Sequence, residues 1–386
     1  SMRIAYVLHR RDDRWDGVMK KVAAQGAAWR RAGHEVVVFA PSVPEKLEPS
    51  VVGAVRYPVY RNFLLSSFMP STALLRRLND FNPTLVYSRY VSFRWFFWTV
   101  VRRFSAVLEL NTLDVPEIRA NLARRHTVGV LARYIQNAAF RGKLLRQAKG
   151  FVAVTSEIAQ HPSIRKFKKP TVVIPNGIDL SASCQLTQAA GAHERAVYFM
   201  GSPNQTWHGV DKIEELASGL SEYHFHLVGI DGENRANVTY HGYLSKDEYH
   251  TVMKACIACI GSLALYRNNM KEACPIKVRE YLALGFPTII GYHDAMMEEL
   301  NNPEWLLRLH PENGMDLAAT RRFLEMNRDR VVEKTELTPI DSNALENRRL
   351  RFLLRLVRRD DDDPRGGKRA TTRTPFKRTI WPRFSS

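Results

Sequence analysis

Two glutamates, Glu272 and Glu280, stand eight positions apart in E-A-C-P-I-K-V-R-E-Y-L-A-L-G-F-P, residues 272–287. Pro275 lies between them, where a helix can begin, since proline is tolerated at the first helical position. The run I-K-V-R-E-Y-L-A-L favours helix, with Gly285 as its stop and Pro287 beyond. The backbone N–H groups of residues 274–277 would then point out of a helix N-terminus. These groups lack partners inside the helix, and the helix dipole favours negative charge, so such a terminus is a ready anion site. One glutamate precedes the terminus and the other sits one turn inside it. A nucleotide diphosphate over the terminus would leave one carboxylate for the ribose hydroxyls and the other for the hydroxyls of an attached sugar. The same residues also fit an amphipathic helix with ordinary charged flanks, so the pair alone leaves both readings open.

The elements that must position this segment alternate between strand and helix, which predicts parallel α/β domains. In the first half the strand signals are R-I-A-Y-V-L-H, E-V-V-V-F-A, V-R-Y-P-V-Y, L-V-Y-S-R, V-L-E-L-N and F-V-A-V-T. A helix is predicted over Val18 to Arg31, with Gly33 just past its end. In the second half the strands are A-V-Y-F-M-G, H-F-H-L-V-G, V-T-Y-H-G, A-C-I-G-S and T-I-I-G. The linker-like S-A-S-C-Q-L-T-Q-A-A-G-A places the boundary near residues 180–195. The expected organisation is a first domain over 1–183, a second over 184–340, a helix over 341–359 and a basic tail without core residues over 360–386.

Several segments, in this order, resemble retaining glycosyltransferases of family 4, which have the GT-B fold. They are R-I-A-Y-V-L at the start, G-H-E-V-V-V-F-A-P, V-I-P-N-G-I-D (173–179), Y-F-M-G-S-P-N-Q-T-W-H-G-V-D (198–211), H-L-V-G (226–229) and the Glu-x7-Glu segment with its continuation K-V-R-E-Y-L-A-L-G-F-P-T-I-I-G. The resemblance covers roughly residues 2–340. It implies two Rossmann-like doubly wound domains facing a central cleft. It also implies transfer of a sugar from a nucleotide-diphosphate donor to a hydroxyl of a glycan or lipid-linked acceptor in cell-envelope or polysaccharide biosynthesis, with no metal and no other cofactor.

Residue by residue, the resemblance gives Glu280 the ribose and Glu272 the sugar hydroxyls, with Pro275, Ile276 and Lys277 lining the diphosphate site. Gly17, in the loop after the first strand, approaches the donor, although the family's usual second glycine is Val18 here. Ser202 to Gly209 leaves the first strand of the second domain without the usual Arg and Lys clamp. A Trp-His-Gly variant of this loop occurs in the family, with His208 where the lysine stands and Asn204 as a donor of a hydrogen bond. The missing charge is then expected from Lys277 first and Lys271 second. Some members carry Glu-x-Asn where Glu109 and Asn111 stand, at the end of a first-domain strand facing the crevice. Arg89 ends the preceding strand and is an acceptor-side candidate. His126 reads as a surface residue, and His208 also reads as a turn histidine stacked on Trp207.

Composition narrows the alternatives. Residues 1–183 carry 29 Lys+Arg and 12 Asp+Glu, a net of +17, and residues 364–386 carry 7 and none. The remaining 184–363 hold 21 and 27, a net of −6, which completes the total of +18. A basic first domain implies an anionic partner: membrane, acceptor or nucleic acid. Trp95 to Trp98, flanked by arginines, reads as a core helix or as a surface lying among lipid headgroups, with 61–70 adding a further apolar segment. No nucleic-acid-binding module is visible, so nucleic acid is not the expected partner. Cys256 and Cys259 form a C-x-x-C inside a buried-strand pattern without the second pair a zinc site needs. No signal peptide or apolar run of membrane-spanning length is read, which places the chain in the cytoplasm or at the inner face of the membrane. The rival readings are a sugar-nucleotide 2-epimerase of the same fold, a basic binding protein, and a catalytically dead scaffold.

Overall fold

The computed structural model describes residues 1–10, 12–14, 16–51, 53–58, 71–124, 128–186 and 195–362. The first domain has strands β1 (Arg3–Val7), β2 (Glu35–Ala40), β3 (Gly53–Arg56), β4 (Leu85–Tyr90), β5 (Ala106–Leu110), β6 (Gly150–Ala153) and β7 (Thr171–Val173). Its helices are α1 (Gly17–Arg31), α2 (Thr72–Phe81), α3 (Trp95–Arg103), α4 (Asp114–Arg124), α5 (Val128–Gln147), α6 (Ser156–Gln160) and α7 (Pro162–Arg165). The sheet is parallel throughout, in the order β3-β2-β1-β4-β5-β6-β7.

The second domain has β8 (Ala196–Met200), β9 (His224–Val228), β10 (Val238–Gly242), β11 (Ala258–Ile260), the short β12 (Glu272–Ala273), β13 (Thr288–Ile290), the short β14 (His293–Asp294) and β15 (Leu306–Arg308). Helices α8 (Val210–Gly219), α9 (Lys246–Lys254), α10 (Ile276–Ala283) and α11 (Leu317–Met326) surround it. Six strands form one sheet in the order β10-β9-β8-β11-β13-β15, while β12 pairs with β14 alone. The last helix, α12 (Ser342–Asp362), returns to the first domain.

Strands buried on both faces read as continuous apolar runs, and successive side chains point to opposite faces. In β1, Ile4 and Tyr6 join a core with Trp29, Val38, Leu345 and Leu353, so α12 covers that face together with α1. Ala5 and Val7 point to the other face, among Phe39, Phe97 and Leu108. Each sheet reverses strand order once, between β1 and β4 and between β8 and β11. Ligand crevices of doubly wound sheets open beyond the strand ends at these points.

The alternating pattern holds, with local departures. The predicted strand V-R-Y-P-V-Y stops at Arg56, just before Tyr57 and Pro58, since proline cannot donate to a ladder. Pro275 occupies the N-cap, one position before the first helical residue. The last helix runs to Asp362, three residues beyond the predicted end. The linker segment 187–194, the apolar segment 61–70 and the tail from 363 lie outside the described residues.

The aromatic run of α3 packs inward. Phe96 and Phe97 are buried, and Trp95 is half-buried with its ring edge-on to Phe93 and Phe140. The core reading therefore describes this stretch, and the headgroup reading of Trp95–Trp98 does not.

Candidate functional site

Helix α10 is fixed from below. Arg279 is fully buried and makes two hydrogen bonds to Asp294, at 2.8 and 2.9 Å. Its Nε donates to the Asn176 carbonyl of the first domain's exit segment. Tyr281 accepts a hydrogen bond from the Met200 N–H at the end of β8. The helix is thus held in place while its N-terminus, which no side chain among the described residues caps, faces the cleft. Helix α1 begins directly opposite. An added Cβ on Gly17 would meet Ile276 Cδ1 at 3.6 Å, and Lys20 Nζ lies 3.3 Å from Glu280 Oε1. Asp16 caps α1 by accepting from the Val18 and Met19 N–H groups. The site is therefore the meeting of two helix N-termini across the domain boundary, at the switch points of both sheets.

Lys277 stands on the first turn of α10, half-buried, with Nζ donating to the Met200 carbonyl at 2.9 Å and over the Phe199 ring at 4.5 Å. Burial pushes its pKa down to about 7, so the amine exchanges its proton near neutrality. His208 Nδ1 lies 3.3 Å away. The other ring nitrogen, Nε2, accepts from the Ser202 N–H at 3.1 Å. In a neutral imidazole the proton must then sit on Nδ1, where Ser262 Oγ is 3.2 Å distant. An ammonium facing that N–H is disfavoured, which agrees with the depressed lysine.

His208 itself is held near pKa 3 by burial and by the Lys277 charge. It does not replace the expected lysine clamp. Both of its nitrogens are engaged inside the domain, and its role is to tie the 201–209 loop to the end of β11. Gly209 ends that loop in the left-handed region at φ 69°, where an added Cβ would press on Ala264 at 3.0 Å. Ser202 and Asn204 are exposed at the loop's rim, with Asn204 left-handed at φ 61°. The Trp207 ring is tilted against His208 at 5.8 Å.

Glu272 is reached from the first domain. Its carboxylate accepts from the Ser156 and Glu157 N–H groups at 3.3 and 2.8 Å, capping α6. Glu157 answers in kind, accepting from the Lys271 and Glu272 N–H groups at 2.9 and 2.8 Å. The two glutamates form a reciprocal clasp across the domain boundary. In this conformation Glu272 serves the clasp, and Lys271 is an exposed residue beside it.

Glu109 departs from the crevice-facing expectation. It is fully buried and surrounded by donors: Lys21 Nζ at 2.5 Å, Tyr87 OH at 2.5 Å, Asn111 Nδ2 at 3.0 Å and Gln25 Nε2 at 3.2 Å. Arg349 of α12 stands 3.8 Å away. Burial raises the carboxyl's pKa, but the charges of Lys21, Arg349 and Arg89 outweigh it and hold the group ionised, well below the usual carboxylate range. With its oxygens filled from within, Glu109 organises the floor of the first domain and does not face a ligand. Asn111 is half-buried and bonded to Glu109 and Lys21. Arg89 is half-buried on β4, in register with Glu109. His126 lies outside the described residues.

Three groups escaped the sequence reading. Lys20 and Glu157 were hidden because their partners are 260 and 115 residues away. His9 follows β1 at the switch point, a position that by itself marks a crevice residue. Its ring packs edge-on against Phe96 and Phe97, each at 4.9 Å, and its Nδ1 is buried without a hydrogen-bond partner among the described residues. Burial and the Arg94 charge push its pKa down to about 3, keeping it neutral.

This two-domain arrangement is the GT-B fold. Residues 15–182 match the family described as Glycosyltransferase Family 4. No curated protein matches the chain in sequence. Among solved structures, sucrose-phosphate synthase from Thermosynechococcus elongatus is similar at TM-score 0.59 and 14% identity, covering 94% of this chain and 98% of that one. The lipopolysaccharide outer core galactosyltransferase WaaB is similar at TM-score 0.60 and 13% identity, covering 92% and 99%. HepE of Anabaena, crystallised with UDP, is similar at TM-score 0.57 and 14% identity, covering 94% and 99%.

Proposed function

We propose that the chain is a retaining glycosyltransferase that moves a sugar from a nucleotide-diphosphate donor to a hydroxyl on a glycan or lipid-linked acceptor. The observation that carries this reading is the uncapped N-terminus of α10, with Glu280 and Lys277 on it, at the switch point of the second sheet. The diphosphate lies over that terminus, Glu280 takes the ribose hydroxyls, and Lys277 gains its proton as the anion arrives. Ser202 and Asn204 line the rim. Glu272 takes the sugar hydroxyls when it leaves the clasp with α6. Catalysis is mainly electrostatic: helix N–H groups and Lys277 stabilise the departing diphosphate, with no metal, while positive charge develops on the sugar. Attack on the face the leaving group vacates is the retaining outcome implied by the resemblance. The acceptor approaches from the first domain, past His9 and Gly17. The match over residues 15–182 and the UDP complexes of HepE support this reading.

The test is a thermal-shift screen over UDP- and GDP-sugars, followed by donor hydrolysis. A native-state ligand raises the melting temperature by mass action. A rise with one sugar nucleotide, and its slow hydrolysis, support the transferase. No rise with any of them refutes donor binding.

A further inference from the structure

The outer face of α5 carries apolar side chains that none of the described residues covers. Val128 is 79% exposed, Leu131 48% and Ile135 58%, and their spacing of three and four puts them on one stripe. The stripe continues over exposed Ala138 and Ala139 to exposed Lys143 and Arg146. The helix beneath is anchored. Leu144 and Leu145 are in the core, and Arg141 makes two hydrogen bonds to buried Asp114, at 2.6 and 2.9 Å. The stripe is therefore a fixed surface on a fixed element.

Its surroundings are cationic. Residues 91–149 hold 11 Lys+Arg and 3 Asp+Glu, a net of +8. Two of the three acids, Glu109 and Asp114, are buried and paired with Lys21 and Arg141. Arg102 and Arg103, at the end of α3, are exposed on the helix that packs beside α5. A second copy docking face to face would set these like charges against each other, because a two-fold interface presents the same patch twice. An apolar strip flanked by cations fits a surface that is apolar below and anionic above. Among the described residues, no helix is long and apolar enough to cross a membrane, so the fit is to lying on a bilayer rather than spanning it.

We propose that the outer face of α5 is a docking surface for an anionic lipid bilayer. Val128, Leu131 and Ile135 enter the boundary between headgroups and acyl chains. Lys143 and Arg146, toward the other end of the helix, meet lipid phosphates. The proposal concerns a face apart from the donor site and is measured without donor or acceptor, so either can fail alone.

The experiment is co-sedimentation of the full chain with phosphatidylcholine vesicles, with and without about one third phosphatidylglycerol, at low and high salt. The parent protein is expected to bind the anionic vesicles only, more weakly as salt rises. Leu131→Gln with Ile135→Gln is expected to lower partitioning on the order of tenfold or more at every salt concentration, because it removes apolar contact. Lys143→Gln with Arg146→Gln is expected to lower it by about fivefold per cation at low salt and little at high salt. All four side chains are exposed, so the melting temperature should stay at the parent value and folding is not at issue. Anionic-vesicle binding that the apolar pair leaves unchanged would overturn the proposal and assign the binding to other basic segments, as would equal binding to neutral vesicles or binding to neither. A parent protein that self-associates, and is made monomeric by the apolar pair without any change in vesicle binding, would also overturn it.

Discussion

Donor binding should take up a proton, and Lys277 sets how much. With a pKa of about 7, the free protein carries a charged Lys277 in about one molecule in ten at pH 8 and about nine in ten at pH 6. A diphosphate over the α10 N-terminus supplies the anion that burial removed and returns the pKa toward the usual lysine value of about 10.4. Binding at pH 8 should therefore take up about 0.9 proton, and at pH 6 about 0.1. By linkage, the apparent affinity should fall about tenfold per pH unit above pH 7, until the pKa of the bound state is reached. The assay is calorimetry with a UDP-sugar in buffers of different ionisation enthalpy. A sugar nucleotide is preferred to UDP because it has no terminal phosphate titrating near pH 6. Lys277→Met should abolish the uptake. Uptake at pH 8 below about 0.2 proton, or equal at both pH values, would show that the amine does not receive the anion.

The same lysine affects stability without any ligand. Its folded pKa lies below the unfolded value, so folding is disfavoured while it is charged. Denaturant stability should rise between pH 7 and 10 relative to Lys277→Met, and parallel curves would contradict this. Arg279→Met leaves Asp294 charged and buried without its partner, so equilibrium unfolding should show a loss of about 3–5 kcal/mol. Glu280→Ala should remove most of the donor-induced thermal shift, and an undiminished shift would sink the ribose assignment. Glu109→Gln should lower stability and leave the donor-induced shift intact, whereas loss of the shift alone would return Glu109 to the ligand site.

The sequence showed most of what is local. Runs such as E-V-V-V-F-A announce buried parallel strands, and the stretch from Pro275 to Gly285 announces α10 with its free terminus, because caps and periodicity act within a few residues. The site's electrostatics were not legible. Glu109 is neutralised by Lys21, 88 residues before it, and by Arg349, far beyond it in the last helix. A carboxylate at a strand's end looks the same in sequence whether it faces a ligand or a ring of internal donors. His208 misled for a related reason. Its place in the loop matched a ligand-facing position, but its direction was set by the Ser202 N–H and Ser262, which spacing alone does not reveal.

Helix α12 carries one more consequence. Leu345, Leu350, Phe352, Leu353 and Leu356 complete the core around β1 and α1, yet in the chain they follow the whole second domain. The strands and helices of the first domain that precede the second emerge early and must wait with Trp29, Val38 and Tyr87 short of their cover. The second domain, contiguous in the chain, can close before the first does. Order of synthesis and order of completion are thus reversed, and the first domain is exposed to chaperones and proteases until α12 emerges to seal it.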